Sequence, residues 1–152
     1  MNTNSRISIR AFSNDDYANA ISLWSRIDGL NLNESDTPEA IHAFLERNPG
    51  FSAAAVTESG ELIGAVLCGH NGRSSLLYHL AVATEYRSRG IANQLVEFCF
   101  AKLAAVNIPR CSIFVYTANE VGNSFWLKNG WNDPTTWKVM QKQVEPLSPP
   151  KK

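Results

Sequence analysis

Six consecutive residues, Arg87-Ser88-Arg89-Gly90-Ile91-Ala92, combine two cations, a glycine and small side chains where a strand pattern gives way to a helical one. The first backbone N–H groups of a helix lack carbonyl partners and sit at the positive end of its dipole, so such a start can hold phosphate oxygens. Gly90 and Ala92 would let a ligand approach the backbone, while Arg87 and Arg89 would add charge. A tight turn with a solvated basic face has the same composition, and both readings stand at this level. No Gly-Lys-Ser/Thr accompanies the segment and no Gly-x-Gly-x-x-Gly precedes it, which argues against a nucleotide-triphosphate loop and a dinucleotide fold. Cys68, Cys99 and Cys111 are odd in number and far apart, and His42, His70 and His79 lack ligand spacing. Neither a disulfide framework nor a metal site is expected.

The elements that position this segment follow from periodicity. Arg6 to Phe12 alternates as a strand, and Ser13 with Asp16 opens a helix that carries Tyr17, Ala20, Ile21, Trp24 and Ile27 and ends near Gly29. Gly29 to Asp36 is an aperiodic loop. Thr37-Pro38-Glu39 starts a second helix with Ile41, Phe44 and Leu45, stopped by Asn48-Pro49-Gly50. Ser52 to Thr57 and Leu62 to Cys68 predict a hairpin; Asn71-Gly72, suited to a type I′ turn, leads into a strand from Leu76 to Val82. After the polar loop Thr84 to Arg89, the spacing from Gly90 to Ala105 is helical, and Pro109 ends that segment. Cys111 to Tyr116 predicts a strand, Val121 to Asn129 a short helix stopped by Gly130, and Trp137 to Val144 a last strand. The order β-α-α-β-β-β-α-β-α-β implies an α/β (α+β) fold, a mixed and mostly antiparallel sheet with a helical crossover between the Leu76 and Cys111 strands.

The chain has 152 residues, 44% of them hydrophobic, which suits one domain. We expect that domain over 1–145, followed by a flexible tail at 146–152 rich in proline. Fourteen basic residues balance fourteen acidic ones, which argues against nucleic-acid binding by bulk phosphate neutralisation and against a polybasic membrane anchor. The apolar run from Leu62 to Gly69 is far below the roughly 18 residues of a membrane span, and no secretory signal opens the sequence. A cytoplasmic location and no membrane or nucleic-acid partner are the expectation.

With the preceding Leu80-Ala81-Val82, the segment Arg87-Ser88-Arg89-Gly90-Ile91-Ala92 resembles the signature of the GCN5-related N-acetyltransferase superfamily, Arg or Gln, two residues, Gly, one residue, Gly or Ala. Asn119-x-x-Gly122-x-x-Phe125-Trp126-x-x-x-Gly130-Trp131 looks like the family's second cofactor segment, and the element order matches from about Arg6 to Val144. The likeness is greatest to bacterial members described as ribosomal-protein-alanine-acetyltransferase-like. The resemblance implies acetyl-CoA as donor, with its pyrophosphate on the N–H groups of Arg87, Ser88, Arg89, Gly90, Ile91 and Ala92. It also implies a splay between the Leu76 and Cys111 strands, where Leu80 and Val82 pair with the pantetheine arm. Leu80 would hold the acetyl carbonyl and its oxyanion, Asn119 would reach the arm, and Lys128 is a partner for the 3′-phosphate or a solvated residue.

Amine acetylation requires a neutral nitrogen. An alkylamine of pKa about 10.4 costs roughly 4–5 kcal/mol to deprotonate at pH 7, whereas protonating a thiolate of pKa about 8.5 costs roughly 2 kcal/mol. The base therefore matters more than the acid. Trp126 stands where many family members place a tyrosine acid, so it packs on the cofactor, donates to sulfur or belongs to the core, and no protein acid is assigned. His79, beside Leu80, is the natural base by its reference pKa, but strict alternation puts it on the face of Leu77 and Ala81, where a histidine hydrogen-bonded within the sheet is the simpler reading. Glu34 and Asp36, in a region that lines the acceptor pocket in the family, are the other candidates, with Asp36 equally suited to a helix cap.

The expected activity is acetyl-CoA-dependent transfer to a primary amine of a small molecule, peptide or protein by direct attack in a ternary complex, as a monomer or homodimer. The alternative is an acyl-CoA-binding sensor or regulatory domain without turnover.

Overall fold

The computed structural model describes residues 6–145, so the tail at 146–152 lies outside the described residues. Residues 6–116 form one compact unit and residues 117–145 another. The first contains five strands, β1 (Ile7–Ala11), β2 (Ala53–Thr57), β3 (Leu62–His70), β4 (Ser75–Val82) and β5 (Cys111–Ile113), with helices α1 (Tyr17–Ser25), α2 (Pro38–Arg47) and α3 (Ile91–Ala105). The sheet order is β1-β2-β3-β4-β5, antiparallel except for the parallel β4–β5 pair that the α3 crossover requires.

Local chemistry sets the helix starts. Ser13 and Asp16 form the reciprocal capping box that their spacing predicts, and the Thr37 hydroxyl accepts the Ala40 N–H ahead of Pro38. In the centre, β3 is buried from Leu62 through Gly69, as expected of a strand covered on both faces. A Cβ on Gly64 would meet Leu95 of α3 at 3.2 Å, and one on Gly69 would meet Phe44 of α2 at 2.7 Å. These glycines are five positions apart, so α3 and α2 cover opposite faces. On α1, Trp24 is fully buried and stacks on Phe12 at 6.1 Å.

Three expectations change. The hairpin turn is centred on Gly72-Arg73, because the Asn71 side chain accepts the N–H groups of Arg73 and Ser74 and leaves the positive φ to Gly72 (+90°). β5 ends at Ile113 rather than Tyr116, since its pairing with β4 stops at Leu77–Ile113. In the second unit, α4 (Glu120–Lys128) forms as expected, but no strand forms over 137–144. Trp137, Val139, Met140 and Val144 are exposed there, and alternation without a pairing partner does not hold a strand.

Candidate active site

Among the described residues, the pairing of β4 with β5 extends no further than Leu77. The Ala83 N–H bonds the Ile63 carbonyl on β3, and Ala81 lies opposite Ala65. Strand alternation therefore turns the N–H groups of Leu80 and Val82 away from β3, toward the open side. The Val82 carbonyl on that side accepts from Arg87 Nε at 3.1 Å. Leu80 and Val82 are the residues expected to face a splay; the described pairing with β5 ends before them, at Leu77–Ile113.

After β4 a 3-10 turn, Thr84–Tyr86, leads to Ser88 (φ +64°) and Gly90 (φ +78°), the residue before α3. Positive and negative φ alternate from Ser88 to Ile91, the arrangement that gathers backbone N–H groups into an anion-binding concavity. The first bond of the helical ladder joins the Gln94 N–H to the Gly90 carbonyl, so the N–H groups of Ile91 and Ala92 precede it. A Cβ on Gly90 would meet no atom within 4 Å, so the space over this backbone is open. The arginines are arranged otherwise than their charge suggests. Arg87 ties the loop to β4, and Arg89 bonds the Glu85 carbonyl at 3.0 Å and lies over the Tyr86 ring.

His79 breaks the alternation on which its sheet reading rested. Val66 faces two residues of β4, His79 and Leu80, a β-bulge with His79 at φ +58°. The imidazole lies 5.0 Å from the Trp24 ring, and its Nε2 is 2.8 Å from Asp36 Oδ1, so its partner comes from the turn before α2 and not from the sheet. Asp36 is buried and held at several points: its Oδ2 accepts the Asn33 N–H, and its carbonyl accepts the Tyr17 hydroxyl at 2.6 Å. A carboxylate can only accept, so Nε2 carries a hydrogen, and in the neutral imidazole the lone pair then falls to Nδ1. Glu34, two residues earlier, is exposed and lies outside the cleft lining.

That cleft, of about 420 Å³, is lined by Asn33 and Asp36 from the turn, Phe44 and Arg47 from α2, and Tyr78 and His79 from β4. Burial pushes the Tyr78 hydroxyl pKa up, which keeps it a donor. Of these residues the sequence singles out Asp36 and His79 but not Phe44, Arg47 or Tyr78; helical spacing puts Phe44 and Arg47 within reach, whereas the bulge that redirects His79 leaves no sequence signal.

In the second unit, Asn119 Oδ1 caps α4 by accepting the Gly122 N–H at 2.9 Å. The Trp126 ring packs edge-on against Phe125 and Trp131, at 5.0 and 4.8 Å. Lys128 is exposed in the last turn. Among the described residues, no group of three or more His, Cys, Asp or Glu could hold a metal ion, and no helix is long and apolar enough to cross a membrane.

A half-unpaired strand that feeds an N–H-rich helix start is the framework of an acyl-CoA-dependent acetyltransferase, and the model of the acetyltransferase (GNAT) family matches residues 17–131. The chain belongs to this family and is an N-acetyltransferase with acetyl-CoA as donor. It is 33% identical over 120 residues to an acetyltransferase of Sodalis glossinidius, covering 79% of this chain and 83% of that one. Its fold is similar to the PaiA N-acetyltransferase of Thermoplasma acidophilum, solved with coenzyme A (TM-score 0.71, 22% identity, 91% and 94% of the two chains). It is also similar to the diaminobutyrate acetyltransferase EctA of Paenibacillus lautus, solved with L-2,4-diaminobutyric acid and coenzyme A (TM-score 0.69, 19% identity, 82% and 75%).

Proposed function

We propose that the enzyme acetylates a primary amine by direct attack in a ternary complex, within one domain over 1–145, with His79 as the base that Asp36 positions. The reading rests on the 2.8 Å contact between His79 Nε2 and Asp36 Oδ1 beside Leu80, on the unpaired half of β4. Bound acetyl-CoA supplies the activated acyl thioester. The residues present fit it: Leu80 and Val82 offer outward N–H groups, and Ser88, Gly90, Ile91 and Ala92 offer an open anion cradle. His79 Nδ1 takes the amine proton, the Asp36 carboxylate stabilises the resulting imidazolium, and the Leu80 N–H bonds the oxygen on which negative charge develops.

An acyl-enzyme route would need an accessible, activated thiol, whereas Cys68 and Cys99 are buried. A hydrogen bond with Cys68 and burial push the Cys99 thiol pKa far up, and burial raises that of Cys111 to about 11. Initial-velocity kinetics with acetyl-CoA and an amine test the reading. Intersecting double-reciprocal lines and an N-acetylated product are expected; parallel lines, the mark of a covalent acyl-enzyme, would overturn it.

A further inference from the structure

The cleft beneath His79 has a charge toward each end and an apolar middle. Asp36 precedes α2 and Arg47 is its last residue. Between them Ala40, Ala43 and Phe44 share a helical face with Arg47, at the spacing of neighbouring turns. Phe44 meets Tyr78 edge-on at 5.9 Å, and Leu67 completes the wall.

The two charges differ in what they can still do. Both oxygens of Asp36 are engaged, one by His79 and the other by the Asn33 N–H. Asp36 is thus poorly placed to hold a second cation. Arg47 is exposed at the cleft and forms no ion pair among the described residues, and the adjacent Glu46 lies 3.1 Å from His42 on another face of the helix. A cleft made for a polycation would carry several unpaired carboxylates; this one carries an unpaired guanidinium.

We propose that the acceptor is a primary amine joined through an apolar stem to an anionic group, with Arg47 holding the anion while the amine meets His79. The inference rests on the reading of His79 as the base. α2 is about 15 Å long, and the Arg47 side chain reaches back over part of that length, so the stem contains several carbons. The guanidinium fork suits a carboxylate or a phosphate, and the aromatic pair suits the stem.

Thiol release from acetyl-CoA, measured with ω-amino acids from glycine to aminooctanoate against alkylamines and α,ω-diamines of equal length, tests the proposal. One of the longer amino acids should exceed its matched alkylamine and diamine in kcat/KM by about tenfold or more, through KM. Arg47→Gln should bring that ratio close to one, and Arg47→Lys should restore part of it. Aminoalkylphosphonates separate a preference for phosphate from one for carboxylate. Equal rates for amino acids and alkylamines, faster diamines, an unchanged ratio in Arg47→Gln, or no turnover of any amine would overturn the proposal. His79→Gln separates the two readings: a preference for anionic amines with no loss of kcat in that variant would remove the base and leave Arg47, and the converse would remove Arg47 and leave the base.

Discussion

Asp36 and His79 are 43 residues apart in sequence, yet Oδ1 of the one stands 2.8 Å from Nε2 of the other. The bulge in β4 turns the imidazole out of the sheet, and the capping turn before α2 fixes the carboxylate that meets it. Asp36→Asn keeps an acceptor for the Asn33 N–H but removes the charge that stabilises an imidazolium. We expect kcat to fall about 10-fold to 100-fold with little change in KM. Asp36→Asn/His79→Gln should be no slower than His79→Gln alone, since the two residues act as a unit. Additive losses in the double-mutant cycle would separate them.

Gly90→Val places a branched side chain over the backbone where phosphate oxygens are expected, at a φ of +78° that valine resists. Affinity for acetyl-CoA should fall at least about tenfold by calorimetric titration of the folded variant. Because open space surrounds the position, the stability loss should be limited to backbone strain, roughly 1–2 kcal/mol.

Trp126 packs edge-on against two aromatic rings, and a tyrosine can keep both contacts. Trp126→Tyr should leave kcat within about threefold of the parent enzyme. A larger loss would give the indole N–H a specific role.

Arg10 bonds both oxygens of Asp16 at 2.8 Å. Burial alone would raise the Asp16 pKa, but Arg10 and Ser13 together bring it below the usual carboxylate range. A carboxyl group depressed in the folded state contributes stability above its unfolded pKa of about 3.9, and that contribution is lost as pH falls through the lower folded value. Arg10→Gln should therefore destabilise the protein at pH 7. Arg10 is half exposed, so the loss should be about 1 kcal/mol or less, roughly 2–4 °C in Tm. The difference between variant and parent should shrink below pH 4; a difference that grew in acid would contradict the assignment.

The sheet and helices were largely legible because alternation, capping residues and Gly/Pro breaks are local signals, as at Ser13, Thr37 and Gly90. The positive φ of Gly90 and the open backbone ahead of α3 follow from the same kind of local signal. Trp137 to Val144 looked like a strand because alternation records potential burial and not the presence of a neighbour to pair with. The surroundings of His79 were hidden by the bulge, since one inserted residue defeats the period-two argument on which its face was assigned. Arg47 showed nothing in sequence to set it apart from a solvated helix end; only the cleft does so.

The pH dependence of kcat/KM for His79→Gln tests the base most directly. The parent enzyme should show an acidic limb from an imidazole that must be neutral. In the variant kcat/KM should fall about 10²-fold to 10⁴-fold and that limb should disappear, with the fold intact by circular dichroism. A folded His79→Gln enzyme within a few-fold of the parent rate, with the acidic limb unchanged, would contradict the account.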